Sequence, residues 1–162
     1  MNNQHLNEKK TRLSVDYFEK MHIIKNRKED EVAIMLIQFN FKNFRSFREE
    51  VTLDLSATKM TEFSERVVTI GSEKILPVAA IYGANASGKS NIYSAFEYMA
   101  EYVVDSFKYG DEEEKFEEYR PTPFLFDSTS ADAESSFEVY FTIPGDKNEK
   151  TYNYGFCVDQ EG

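Results

Sequence analysis

The alternation of hydrophobic and polar positions along this chain changes period several times, and each change marks an element. Ile37, Phe39 and Phe41 alternate with Gln38, Asn40 and Lys42, which predicts a strand with one buried face. Asn43-Phe44-Arg45-Ser46-Phe47 then turns the chain, and Val51, Leu53 and Leu55 alternate with Thr52 and Asp54 as a second strand. Residues 67–70 give a short third strand signal. Leu76-Pro77-Val78-Ala79-Ala80-Ile81-Tyr82 is an apolar run of strand type. From Asn91 the period becomes helical and holds as far as Phe107. Ile92, Ala95, Phe96, Met99, Val103 and Phe107 form one stripe there, spaced for burial against a sheet. An acidic, loop-rich stretch with Pro121 and Pro123 follows. Phe137, Val139, Phe141 and Ile143 then alternate, and Pro144-Gly145-Asp146-Lys147-Asn148 reads as a hairpin turn. Tyr152, Tyr154, Phe156 and Val158 alternate on the returning strand. Residues 1–34 are polar and weakly periodic, with a faint helical signal over 15–27. They are expected to be an extension outside the core, with the fold starting at Met35.

Between the run at 76–82 and the helix, the chain reads Gly83-Ala84-Asn85-Ala86-Ser87-Gly88-Lys89-Ser90. This matches the phosphate-binding loop pattern G-x-x-x-x-G-K-[ST] at every position, in the strand–loop–helix order that the motif needs. Each residue type has a reason. Gly83 and Gly88 allow a close approach of backbone that a side chain would block. Ala84, Ala86 and Ser87 are small, so the loop can wrap a phosphate chain. Consecutive backbone N–H groups, those of Asn85 and Asn91 at its middle and end included, can form an anion nest. The helix that opens near Gly88 adds its positive dipole end. Lys89 brings a mobile charge to the β- and γ-phosphates and is the candidate catalytic residue. The Ser90 hydroxyl is a candidate ligand for Mg²⁺. The ligands expected are therefore ATP and Mg²⁺. No guanine-reading N-K-x-D motif occurs, which ranks GTP low.

Composition sharpens this picture at a few points. At 162 residues the chain is one domain or part of one, and 14 Phe with 10 Tyr supply a sizeable core. The single cysteine, Cys157, excludes an internal disulfide and suits a reducing, cytoplasmic setting. No apolar run has the ~18 residues of a membrane span. His5 and His22 are isolated and read as surface residues. The net charge of −10 is uneven. Residues 1–34 carry seven Lys/Arg and six Asp/Glu, whereas 35–162 carry twelve and twenty-three. An acidic body is a poor surface for nucleic acid, so no direct nucleic-acid contact is expected from it. The run Asp111-Glu112-Glu113-Glu114 with Glu117-Glu118 reads as a solvated face rather than a docking site for a basic partner.

ATP hydrolysis in P-loop proteins also needs an apolar strand ending in Asp, and often Glu. The nearest stretch after Ser90 is Phe124-Leu125-Phe126-Asp127-Ser128, and its Pro-flanked setting makes Asp127 a loop residue rather than a metal ligand. The segment 35–162 therefore reads as the N-terminal part of a longer ATPase domain, expected to bind nucleotide without turnover by itself.

Two stretches carry a family resemblance. Leu36-Ile37-x-Phe39-x-Phe41-x-Asn43-Phe44-Arg45-Ser46-Phe47 is similar to the first strand and turn of bacterial AAA-family ATP-binding proteins, and Leu76 to Asn91 resembles their Walker A segment closely. The version Gly83-x-Asn85-x-Ser87-Gly88-Lys89-Ser90-Asn91 also looks like that of SMC-type ATPases and of the overcoming-lysogenization-defect (OLD) nucleases. The resemblance implies an α/β fold: a P-loop NTPase of ABC type, its mixed sheet having antiparallel strands before and after the P-loop helix, here as an incomplete domain. It further implies a homodimer in which a partner's signature loop closes the ATP site, an effector such as a nuclease, and work in phage defence or DNA maintenance. Arg45 matches an arginine that lies near the nucleotide in relatives, and reads equally well as a surface residue on a turn. Two classes of function stay open: the ATP-binding half of an ATPase, and a nucleotide-binding module that does not hydrolyse.

Overall fold

The computed structural model describes residues 34–57, 64–105, 120–143 and 150–159. Four of the expected strands form one sheet. They are β1 (Met35–Lys42), β2 (Val51–Asp54), β5 (Ser135–Thr142) and β6 (Thr151–Val158), in the order β2-β1-β5-β6. All three pairings are antiparallel, so strands that precede and follow the phosphate loop in sequence are neighbours in space. Every strand pairing among the described residues is antiparallel, and the parallel part of a mixed sheet is not among them.

One face of this sheet is apolar because period-2 alternation puts Phe39, Phe41, Phe137, Val139 and Phe141 on the same side. The helix α1 (Lys89–Asp105) lies against it. Ala95, Met99 and Val103 are buried there, and Ile92 and Phe96 pack beside them, which is the predicted stripe. Phe107 lies outside the described residues. Ring contacts lock the layers. Phe96 meets Phe39 edge-on with centroids 5.2 Å apart, Tyr98 lies 4.9 Å from Phe137, and Tyr102 stacks on Phe156 at 4.4 Å.

The first strand departs from simple alternation. Leu36 pairs with Phe141 and Gln38 with Tyr140, leaving Ile37 as the extra residue of a β-bulge. The bulge turns Ile37 away from Phe39 and Phe41 to the opposite face. There it joins Ile70 and Ile75 in a second, smaller core, with Leu55 and Tyr140 against it. The expected face-sharing of Ile37 with Phe39 is thus corrected. The partners of this small core are β3 (Val68–Ile70) and β4 (Glu73–Ile75), a hairpin closed by Gly71 and Ser72. The third strand was legible from Val68 and Ile70, but β4, with only Ile75 buried, gave no alternating signal. The rest of the opposite sheet face is polar. Asn40 and Asn153 donate to Glu138 at 3.0 and 2.9 Å, and Tyr140 donates to it at 3.1 Å.

The segment expected as a strand just before the phosphate loop is not one here. The Leu76 amide donates to the Leu55 carbonyl at 2.8 Å, and beyond it the chain runs without a strand partner among the described residues. Val78 and Tyr82 are 77% and 90% exposed. An apolar run becomes a buried strand only where neighbouring strands supply ladder partners and a covering layer. The antiparallel sheet places none beside it. The faint helix at 15–27, the two histidines, the acidic run and the hairpin turn at 144–148 lie outside the described residues.

Candidate functional site

The phosphate loop joins the exposed segment to α1. Ala86 and Gly88 have φ of +62° and +89°, so the backbone reverses sharply before the helix begins. At Gly88 this angle is one that L side chains avoid. A Cβ there would also stand 2.7 Å from Ser46 Oγ and 3.0 Å from the Phe47 ring. At Gly83 a Cβ would stand 2.9 Å from Ser87 Oγ. Gly88 is therefore required by conformation and by space, whereas at Gly83 the exposed Ser87 hydroxyl could rotate aside.

Lys89, the first residue of α1, reaches back across the loop. Its Nζ donates to the carbonyls of Gly83 and Ala84 at 2.9 and 2.6 Å. The ammonium is thus held over the mouth of the loop, on the side of Gly83. Ser90 is exposed one residue further on. Amides at the start of a helix have no acceptor one turn back, so those beside Lys89 and Ser90 remain donors for a ligand. A tethered cation, small loop residues and free amides at a helix start form a donor set that fits a polyphosphate, and the Ser90 hydroxyl fits a magnesium ion carried with it.

The turn between β1 and β2 supports this loop from below. Asn91 Nδ2 donates to Ser46 Oγ at 2.8 Å, joining positions 45 residues apart. Arg45 lies in the same turn with φ +51°, and its amide donates to the Thr122 carbonyl at 2.8 Å. Its guanidinium carbon sits 5.2 Å from the centre of the Phe44 ring. The contacts with the loop come from its neighbours Ser46 and Phe47.

Asn43 anchors the whole turn. It is buried, at φ +53°. Its Nδ2 donates to the carbonyls of Ser130, Ala133 and Glu134 at 2.8, 2.9 and 3.3 Å. Its Oδ1 accepts from the Phe124 amide at 3.0 Å, and its carbonyl accepts from the Ser135 hydroxyl at 2.6 Å. Neither Asn43 nor Ser46 stood out in sequence as a site residue. The only sequence signal was an asparagine at the end of an alternating run, where it tolerates a positive φ.

Asp127 is engaged by neighbours of its own. It caps the short helix α2 (Ser128–Ala131) and pairs with Arg48 at 3.2 Å. The Thr129 hydroxyl and then its amide hold the Asp127 carboxyl below the usual carboxylate range. Among the described residues no group of three or more His, Cys, Asp or Glu could hold a metal ion. No helix among them is long and apolar enough to cross a membrane.

The sequence model of one family, described as "AAA domain, putative AbiEii toxin, Type IV TA system", matches residues 78–162, just over half of the chain. The match begins at Val78 and so contains the complete phosphate loop. This chain belongs to that AAA family. No curated protein and no solved structure matches it. Membership makes the AAA domain a P-loop ATPase relative, to which nucleotide binding is the natural activity. Its antiparallel sheet and packed helix are compatible with a P-loop NTPase fold.

Proposed function

We propose that the AAA domain binds ATP with Mg²⁺ through residues 83–90, the amide of Asn91, expected as part of the anion nest, being spent on the Gly88 carbonyl at 2.8 Å. The observation that carries this reading is Lys89, tethered by the Gly83 and Ala84 carbonyls across a loop whose Gly88 has neither the conformation nor the space for a side chain. In this reading Gly83, Ala84, Asn85, Ala86 and Gly88 present backbone donors to the β-phosphate region, and the Ser87 amide would turn to it from the Ala84 carbonyl, to which it donates at 3.3 Å. Lys89 would turn from the carbonyls to the β- and γ-phosphates, and the exposed Ser90 hydroxyl would take a magnesium ligand position. Arg45, on the turn beside the loop, would swing from the Phe44 ring toward the same phosphates.

The finer reading is an ABC-like ATPase. The antiparallel strands on either side of α1 support it, as does the Walker A sequence. It works as a homodimer, with a partner's loop completing the site, and it drives an effector such as a nuclease in phage defence or DNA maintenance. A non-hydrolysing nucleotide-binding module is the second reading. It is favoured by Asp127, whose carboxylate is occupied by Thr129 and Arg48.

Isothermal titration calorimetry with ATP–Mg²⁺ on the wild type and Lys89→Ala tests the common core of both readings. Micromolar binding that weakens at least about tenfold in the variant is expected, since a charge-assisted contact contributes roughly 1.5–3 kcal/mol. Equal affinity in the two proteins would sink the assignment.

A further inference from the structure

We propose that Ser46 and Asn91 are a positioning pair that sets the geometry of the phosphate loop, and that the Asn91 carboxamide serves the β1–β2 turn rather than the nucleotide. The proposal rests on the nucleotide-binding reading above for its functional consequence, but not for its structural one.

Three observations carry it. The loop has few contacts of its own. Residues 81–87 are exposed, Tyr82 among them at 90%, and Val78 before them is largely solvated. Beyond the Lys89 tether to the Gly83 and Ala84 carbonyls, the contacts that join the loop to the rest of the fold lie at its helical end. There the Asn91 amide group donates to Ser46 Oγ at 2.8 Å. The Ser46 hydroxyl and the Phe47 ring fill the space under Gly88, the residue at φ +89° where the backbone turns into α1.

The support itself is rigid. Phe44 and Phe47 exchange backbone hydrogen bonds at 2.8 and 3.0 Å across the turn. The Phe47 ring meets Phe41 of the core edge-on, 5.2 Å between centroids. The Arg45 amide and the Asn43 side chain fasten the turn to residues 122–134. The turn is thus anchored to the core through Phe47 and to the following segment through Asn43, and it offers one hydroxyl to the loop.

Asn91 follows Ser90 directly. Fixing the Asn91 side chain fixes the rotation of the first turn of α1, and with it the direction of the Lys89 and Ser90 amides and of the Ser90 hydroxyl. Small shifts in such donors cost binding steeply, because a charge-assisted contact depends on distance and angle.

The test compares wild type, Ser46→Ala, Ser46→Thr, Asn91→Ala and the Ser46→Ala/Asn91→Ala double variant by two readouts. The first is amide hydrogen exchange without nucleotide. Ser46→Ala and Asn91→Ala should each speed exchange over residues 84–91 several-fold, with β1 and β5 unchanged, and Ser46→Thr should behave as wild type. Unchanged exchange over the loop would overturn the proposal. The second readout is ATP affinity. Each single variant should bind roughly three- to tenfold more weakly, the worth of one hydrogen bond, and the double variant no more weakly than the singles. A loss confined to Asn91→Ala, or losses that add, would place Asn91 on the nucleotide and overturn the proposal. If neither wild type nor any variant binds ATP, the binding reading fails, and the exchange data alone decide whether the pair braces the loop.

Discussion

Replacing Asn43 tests whether one buried side chain carries the turn under the phosphate loop. In Asn43→Ala, donors to the carbonyls of Ser130, Ala133 and Glu134 are lost, and the Phe124 amide loses its acceptor. Three of these four bonds, at 2.8, 2.9 and 3.0 Å, have good geometry. At about 1 kcal/mol net each, they amount to about 3 kcal/mol. Alanine at φ +53° adds about 1 kcal/mol of backbone strain, which glycine does not share. The expected losses are therefore about 4 kcal/mol for Asn43→Ala and about 3 kcal/mol for Asn43→Gly. Asn43→Asp should be worst, because a carboxylate would face three carbonyl oxygens. Urea unfolding followed by circular dichroism gives the three values. Thermal midpoints should fall by roughly 2–4 °C per kcal/mol at this size. Two results would refute the reasoning. One is a loss under about 1 kcal/mol in Asn43→Ala, which would mean that water replaces the side chain freely. The other is an Asn43→Asp variant as stable as wild type, which would mean that the carbonyls do not converge on this position.

Other consequences can be checked with the same tools. Gly88→Ala places a methyl group 2.7 Å from Ser46 Oγ at φ +89°, and calorimetry should show ATP affinity down by at least about tenfold; wild-type affinity would contradict the packing. Phe39→Ala empties a fully buried site between Phe41 and Phe96 and should cost about 3–5 kcal/mol in urea, whereas the 63% exposed Tyr93 should lose less than about 0.5 kcal/mol on truncation. Asn153 and then Asn40 hold the Glu138 carboxyl below its ordinary range, as Thr129 does for Asp127. A depressed folded-state value stabilises the fold above the unfolded-state pKa, and that contribution is lost as pH falls through the folded-state value. The urea midpoint should thus decline below the normal carboxylate range, and less steeply in Glu138→Gln; identical acid slopes would show that Glu138 is not held in this way.

The phosphate loop could be read directly from the chain because its chemistry is local. Eight consecutive residues supply the glycines, the lysine and the hydroxyl, and no distant partner is needed to make them a donor set. The stripe of α1 and the alternation in β5 and β6 were equally legible, since a buried helix face and a half-buried strand impose their own periods on neighbouring residues. The bulge at Ile37 was not, because nothing in Leu36-Ile37-Gln38 shows that one residue is skipped; the register with Phe141 and Tyr140 decides it. The run at 76–82 has the composition of a strand, yet a strand exists only with a ladder beside it, and that depends on other segments. The residues that support the site were hidden for the same reason. Asn43 meets its partners 81 to 92 positions away, and Ser46 meets Asn91 at a distance of 45. The sequence by itself determined which atoms could grip a phosphate. The fold decided what holds those atoms still, because the hydrogen bonds and packing that do so join segments that only the tertiary structure brings together.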